Sequence, residues 1–151
     1  MHDLPVIGWR EWLSLPDLGL AAIKAKIDTG ARSSALHVET IEEFRRDDST
    51  WLRFTVAPRR RSERRVICEA PAVDRRRVTD SGGRIGERWF IRTRIGLAGA
   101  SWEAEINLSD RRNMLFPMLL GRSALRGRFR VDPDLAYVCG RLRARQGAGV
   151  P

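Results

Sequence analysis

The chain has 151 residues, of which 42% are hydrophobic, enough for one domain with its own apolar core. Its 28 Lys and Arg residues against 19 Asp and Glu residues give a net charge of +9, which favours anionic partners such as nucleic acid or acidic protein segments. Two cysteines are too few for a disulfide framework, and no apolar run is long enough to span a bilayer. The amino terminus has no signal-peptide pattern, so we expect a cytoplasmic protein that does not enter a membrane.

Short alternating segments, typical of β-strands, follow one another along most of the chain. Many short strands and a single helix, at 123–126, predict a β-barrel or sandwich. Arginine, glycine and alanine dominate 141–151 and predict a basic disordered tail, which leaves 1–140 as the folded domain. The predicted strands are 6–15, 21–27, 33–44, 51–56, 66–68, 114–120, a hairpin over 89–108 and a closing hairpin from 129–131 and 137–139.

The most informative stretch is the alternating run 21–27, which ends at Asp28-Thr29-Gly30. A half-buried strand with this alternation delivers the Asp28 carboxylate at the edge of a core. Gly30 permits a tight turn, and the hydroxyl of Thr29 can brace it. By itself the motif is also typical of an ordinary turn at the end of a strand.

A second motif, at 118–125, is an apolar strand broken by Gly121 and followed by Arg122. An early Asp-Thr-Gly-Ala motif together with a late apolar–apolar–Gly–Arg motif resembles the retropepsin-like aspartic proteases. The longer stretches 24–37, 118–125 and 129–133 are similar to a bacterial branch that is labelled "ATP-dependent zinc protease" and is associated with RimK-type ATP-grasp ligases. The resemblance covers roughly residues 5–139. It implies an all-β, closed or partly closed β-barrel with one short helix, and a twofold homodimer.

An aspartic protease uses two carboxylates that share one proton, so that one acid stays neutral while the other acts as a base toward water. Because the chain carries one Asp-Thr-Gly motif, we expect Asp28 of two subunits to meet across the dimer axis, with Thr29 and Gly30 completing each catalytic loop. Asp80-Ser81-Gly82 has the form of a second motif. It follows Asp28 by only 52 residues (80 − 28), which is too short for a second lobe.

The same resemblance implies two features of substrate binding. By their order in the chain, Ser81, Gly82 and Gly83 are expected at the tip of a flap that closes over substrate, although an ordinary hairpin turn is the alternative. Retropepsins commonly have aspartate two positions after the motif glycine, whereas this chain has Arg32, whose guanidinium can bind carboxylates. With the charge of +9 and the link to a glutamate ligase, this predicts an acidic substrate, such as a glutamate-rich or poly-glutamyl tail. Alternatively, Arg32 is a surface residue or pairs with an acid such as Asp132.

Several residues near the two motifs are expected to support the site. The resemblance gives Arg122 a structural role rather than a catalytic one, with Gly121 and Ala31 beside it. Ser33 and Ser34 follow the motif directly, and their hydroxyls can brace the Asp28 loop.

The sequence gives little support for a metal or nucleotide cofactor. His37 is interpreted as a hydrogen-bonded structural group or as a substrate contact. No His-Glu-x-x-His motif or phosphate-binding loop is present. We therefore expect no cofactor and no metal, since the four residues with ligating side chains show no zinc-site spacing: His2, His37, Cys68 and Cys139.

Two other classes of function remain open at this point. A basic β-barrel that binds RNA or a ribosomal surface would explain the charge and would bind less tightly as salt rises. It would leave the two paired motifs unexplained, and the arginine-rich segments lack regularly spaced stacking aromatics. A protease fold without catalysis, serving as a partner adaptor, would also keep both motifs.

Overall fold

The computed structural model describes residues 3–59, 61–80, 82–110 and 115–140, and these form a nearly all-β structure with one short α-helix, as predicted. The predicted basic tail, 141–151, lies outside the described residues. The strands are β1 (Val6–Ile7), β2 (Arg10–Leu15), β3 (Leu20–Asp28), β4 (Ser34–His37), β5 (Thr40–Arg46), β6 (Ser49–Val56), β7 (Val66–Thr79), β8 (Ile85–Leu97), β9 (Ala100–Ser109), β10 (Met118–Gly121) and β11 (Arg130–Val131); the helix α1 is Arg122–Leu125, and a 3₁₀ turn occupies Pro16–Leu18.

Most of the strands belong to one sheet that returns on itself. Its order is β2-β3-β10-β4-β9-β8, and a pairing between Ser14 of β2 and Gly96 of β8 joins the two ends. Beyond β8 the sheet continues through β7 and β6 to β5, and we call these three strands the outer wing. Apolar side chains from the ring strands and from β6 of the outer wing fill the core; the largest fully buried ones include Leu13, Ile23, Leu36, Phe54, Ile95 and Ile106.

The alternation predicted for residues 21–27 is present in β3. Its odd-numbered side chains from 23 to 27 are buried, while Lys24 and Lys26 are exposed. The hairpin predicted over 89–108 is also present, formed by β8 and β9. Ala98 and Gly99 join these strands with φ of 54° and 81°, which suits a two-residue hairpin turn.

The predicted strand 33–44 is divided in two. The chain bends at Val38 and Glu39, whose N–H groups donate to Ser109 (2.8 Å) and Thr55 (2.9 Å) respectively. As a result β4 lies inside the ring between β10 and β9, whereas β5 lies at the far edge of the outer wing. The divided strand separates the Asp28 end of the sheet from the wing.

The predicted closing hairpin is wrong. β11 pairs in parallel with β1 at the other end of the chain, and residues 137–139 form no strand. Tyr137 turns the backbone with φ of 52°. The next two N–H groups, of Val138 and Cys139, then donate to the carboxylate of Glu11 at 3.1 and 3.2 Å.

Glu11 of β2 is a buried acid that connects Gly8 with residues 138 and 139 through hydrogen bonds. Its side chain is fully buried, and the N–H of Gly8 also donates to it at 2.7 Å. A buried carboxylate is tolerated only when such donors surround it. The predicted strand 6–15 is divided at Gly8 and Trp9, where the N–H of Trp9 donates to the carbonyl of Leu135 at 2.9 Å. Leu135 lies so close that a Cβ at Gly8 would collide with its backbone.

Candidate active site

The Asp28 loop begins where β3 ends, beside the last residue of β10. The two strands are parallel, and Gly121 is level with Asp28. The N–H of Gly30 donates to Oδ1 of Asp28 at 3.0 Å, and the N–H of Ala31 donates to its carbonyl at 3.2 Å. The carboxylate is half-buried, and no described residue donates to its Oδ2. One oxygen is therefore fixed by the turn while the other is open to further interactions.

The two sequence motifs interlock mainly through their backbones. The N–H of Arg122 donates to the carbonyl of Ala31 at 2.7 Å, and that of Ser123 donates to the carbonyl of Arg32 at 3.1 Å. The Arg122 guanidinium also donates to the carbonyl of Thr29 at 3.1 Å. The structure thus places Arg122 and Ala31 in contact across the Asp28 loop, where structural support was predicted.

Gly121 occupies a position that has no room for a side chain. A Cβ at this residue would collide with the carbonyl of Ser33 and would lie 3.0 Å from the carbonyl oxygen of Ala31. Its φ of −90° is ordinary for any residue, so close approach of the loop is the reason for glycine here.

A buried polar pair holds the loop from the inside. Oγ of Ser34 accepts a hydrogen bond from the N–H of Gly121 at 2.9 Å, as the bracing role predicted for this serine requires. Its carbonyl accepts one from the side-chain amide of Asn107, also at 2.9 Å. Sequence reasoning missed Asn107, because it alternates with apolar residues as Glu103 and Glu105 do and therefore resembles part of an exposed polar face. In the structure it is buried, and a buried amide must find partners.

Three cations lie on the same side of the sheet as Asp28, and we call them the basic track: Arg10, Lys24 and Lys26. Lys24 and Lys26 share a face with Asp28 because alternate residues of a strand point the same way. Arg10 of β2 is the direct cross-strand neighbour of Lys26. The alternation of residues 21–27 predicts that both lysines lie on the exposed side of the strand, but this pattern alone did not connect them with the carboxylate two residues after Lys26.

Arg32 is exposed, and among the described residues it makes no ion pair. The alternative pairing with Asp132 is not formed. The carboxylate of Asp132 instead accepts the N–H of Asp134 at 2.9 Å, which closes a turn.

The predicted flap corresponds to the tip of the long hairpin between β7 and β8. Oδ1 of Asp80 accepts N–H donors from Gly82 (2.9 Å) and Arg84 (3.0 Å) and so caps the tip. Gly82 and Gly83 are exposed, and Gly83 has φ of 82°. Ser81, the third predicted flap residue, lies outside the described residues.

His37 occupies the end of β4 that lies away from the Asp28 loop. Three residues of extended strand, about 10 Å, separate it from Ser34. His37 is half-buried, and its backbone N–H donates to the carbonyl of Pro117 at 2.8 Å. Its ring Nδ1 has no hydrogen-bond partner among the described residues. The structure therefore does not bring its ring together with the Asp28 loop.

The potential metal ligands among the described residues do not form a site. No group of three or more His, Cys, Asp or Glu side chains in the described part of the chain could hold a metal ion. Burial raises the pKa of the Cys68 thiol to about 11, so this side chain remains a thiol, and its Sγ lies 3.3 Å from the carbonyl of Leu18. The donor set thus fits poorly with the zinc named in the label of the similar bacterial branch.

None of the helices in the described residues has the length and apolar character needed to cross a membrane.

Comparison with known proteins identifies a family, named relatives and a solved structure to which this chain is similar. A family model described as "RimB-like: Retropepsin-like aspartic endopeptidase RimB" matches residues 6–141. Proteins named "Probable alpha-L-glutamate ligase" from Desulfotalea psychrophila and Parasynechococcus marenigrum are 41% and 42% identical over 138 and 142 residues, 91% and 93% of this chain. The chain spans only 30% of the length of each.

A solved structure has a similar fold. It is a protein of unknown function (DUF785) from Legionella pneumophila, 29% identical in sequence, with a TM-score of 0.75. The match covers 90% of this chain and 98% of that one.

Proposed function

Because the chain belongs to the RimB-like family of retropepsin-like aspartic endopeptidases, we propose that it hydrolyses peptide bonds in acidic protein segments. The observation that carries this proposal is the Asp28 carboxylate. It stands half-buried at the end of β3, with Oδ1 held by the Gly30 N–H and Oδ2 without a donor among the described residues. A carboxylate held in this way is oriented for catalysis but keeps one oxygen free for water and for a second acid.

The proposed mechanism requires a second Asp28 from another copy of the chain. Two adjacent carboxyl groups cannot both ionise, so one keeps its proton while the other takes a proton from water. The resulting hydroxide attacks the peptide carbonyl carbon, and the protonated acid donates to the carbonyl oxygen. Collapse of the tetrahedral intermediate then breaks the C–N bond, and the nitrogen leaves with a proton from the dyad.

The proposed substrate class follows from charge and from the named relatives. Arg32 directly follows the Asp28 turn, is exposed, and is free of ion pairs among the described residues, so its guanidinium can bind a carboxylate with two parallel hydrogen bonds. The relatives named as probable glutamate ligases contain a segment that is similar to 91% and 93% of this chain. We therefore propose a glutamate-rich or poly-glutamyl tail as substrate, and a functional link to a glutamate ligase.

The hairpin tip and His37 complete the proposed substrate site. Gly82 and Gly83, with Ser81, would form a flap, since glycines at a hairpin tip allow the backbone to change direction as it closes. His37 is proposed as a substrate contact further from the scissile bond.

The decisive test is cleavage of a folded protein that carries a poly-glutamate tail, with product masses identifying the bonds cut. Asp28→Asn should lower the rate by at least about a thousandfold, as expected when part of a catalytic unit is removed. Asp80→Asn is the matched control, because an asparagine oxygen can still cap the hairpin tip. Equal cleavage by wild type and Asp28→Asn, or a strictly monomeric protein that still cleaves, would contradict the proposal.

A further inference from the structure

We propose that Lys26 and Arg10 are specificity-determining residues that bind carboxylate side chains of the substrate beside Asp28. This inference rests on the proposed function and adds the residues that select the substrate. The basic track would hold one part of an extended acidic segment while the peptide bond next to it lies over Asp28.

The spacing along β3 suits an extended peptide. Lys24, Lys26 and Asp28 follow one another at intervals of two residues on one face, about 6.6 Å apart. Alternate side chains of an extended substrate have the same interval. An acidic peptide lying along this strand would therefore present a carboxylate to each lysine in turn.

The track cations have no acidic partner to displace. Every ion pair in the described part of the chain lies between residues 39 and 105, and none involves Arg10, Lys24 or Lys26. Nε of Arg10 is buried without a hydrogen-bond partner among the described residues. A substrate carboxylate would supply the missing negative charge.

Arg10 is already oriented before substrate arrives. Its guanidinium lies 4.6 Å from the ring centre of Trp9 and 4.9 Å from that of Tyr137. Lys24 is placed in a similar way, 5.2 Å from the ring of Trp12 and 5.6 Å from that of Tyr137. Such stacking limits the rotamers of long side chains, so that less entropy is lost when they bind an anion.

The same stacking favours a peptide over a single-stranded nucleic acid. Binding of single strands relies on bases that stack on open aromatic faces. Here cations already lie over the rings of Trp9, Trp12 and Tyr137. The track also leads directly to Asp28, where an acidic peptide would be cut.

The test measures binding separately from cleavage, in Asp28→Asn protein that comprises residues 1–151. Fluorescence anisotropy with a labelled hexaglutamate peptide should show roughly tenfold weaker binding when Lys26→Gln is added, as expected for the loss of a charge-assisted contact. Arg10→Gln should weaken binding to a similar extent. Arg59→Gln removes one positive charge from an exposed residue outside the track and should change binding by less than about twofold. A thermal melt of each variant checks that it is folded.

Equal losses in Lys26→Gln and Arg59→Gln would overturn the proposal, because binding would then depend on net charge alone. Equal binding of a hexaglutamine peptide, or tighter binding of an oligouridylate of the same charge, would overturn it as well. A failure of the proposed function gives a different result. If wild type binds hexaglutamate through Lys26 but does not cut it, substrate binding by the basic track is supported and the peptidase activity is contradicted. If wild type cuts the tail and Lys26→Gln leaves KM unchanged, the peptidase activity is supported and substrate binding by the basic track is contradicted.

Discussion

The outer wing and the Asp28 end of the molecule both carry many cations but use them in different ways. On the wing, Arg46 and Arg53 both pair with Glu69, at 2.9 and 2.8 Å. Both lie over the ring of Phe44, and Arg46 also lies over that of Trp51. The charges there hold neighbouring strands together. Much of the positive charge of the wing is thus balanced within the protein.

At the Asp28 end, backbone contacts replace these side-chain pairs. The loops are joined by hydrogen bonds from the N–H groups of residues 121–123 and by the close approach at Gly121. Because the backbone provides the stability, Lys26 and Arg32 are left without ion-pair partners in the described residues. The comparison indicates that charges serve stability on the wing and are available for ligands near Asp28.

The largest effect on stability is expected from Gly121→Ala, because this substitution disrupts the backbone contacts directly. The added methyl group would collide with the carbonyl of Ser33, so the free energy of unfolding should fall by about 3 kcal/mol. Urea unfolding measures this change. Gly86→Ala is the control, because no atom lies within 4 Å of its added Cβ. Its free energy of unfolding should not fall. Similar losses in both variants would show that Gly121 is not a close-approach position.

A pair of matched neutral variants should separate the two uses of charge. Arg53→Gln should lower Tm by about 2–4 °C, because it removes two ion pairs and a cation–π contact, and should leave cleavage unchanged. Lys26→Gln should leave Tm within about 1 °C and raise KM for the acidic substrate. Thermal melts and steady-state kinetics on both proteins test this. If Lys26→Gln lowers Tm as much as Arg53→Gln does, the two residues do not differ in their contribution to stability, and the proposed contrast between the two regions is wrong.

The smallest expected effect is a pH dependence of protein stability that arises on the outer wing. Hydrogen bonds from Arg46 and Arg53 lower the pKa of Glu69 below its ordinary value of 4.5. Glu69 therefore stabilises the fold above pH 4.5, and this contribution is lost as the pH falls through its lower folded pKa. The urea midpoints of wild type and Glu69→Gln should differ more at pH 7 than at pH 3, which lies below the ordinary pKa of 4.5. A difference of the same size at both pH values would show that Glu69 does not act through its charge.

Local sequence patterns predicted those parts of the fold whose partners are near in sequence. The alternation of β3 and the hairpin of β8 and β9 are confirmed, since each depends on neighbouring residues and a short turn. The division of the predicted strand 33–44 depended on which distant strand each half would meet. Local alternation carries no information about that choice.

The candidate site shows the same limit. The sequence located Asp28, Gly121 and Arg122 through their motifs. Asn107 was missed because its partner, Ser34, is 73 residues away. The basic track was missed because recognising it requires the register between β2 and β3, which places Arg10 beside Lys26.

The buried carboxylate of Glu11 has a consequence for biosynthesis. Two of its three donors are the N–H groups of residues 138 and 139, and the latter is 128 residues further along the chain. Until the ribosome has made that segment, burying Glu11 would leave its charge without these donors, at a large cost in free energy. The amino-terminal strands of the nascent chain are therefore expected to remain unpacked, within reach of chaperones, until the last turn of the domain leaves the exit tunnel.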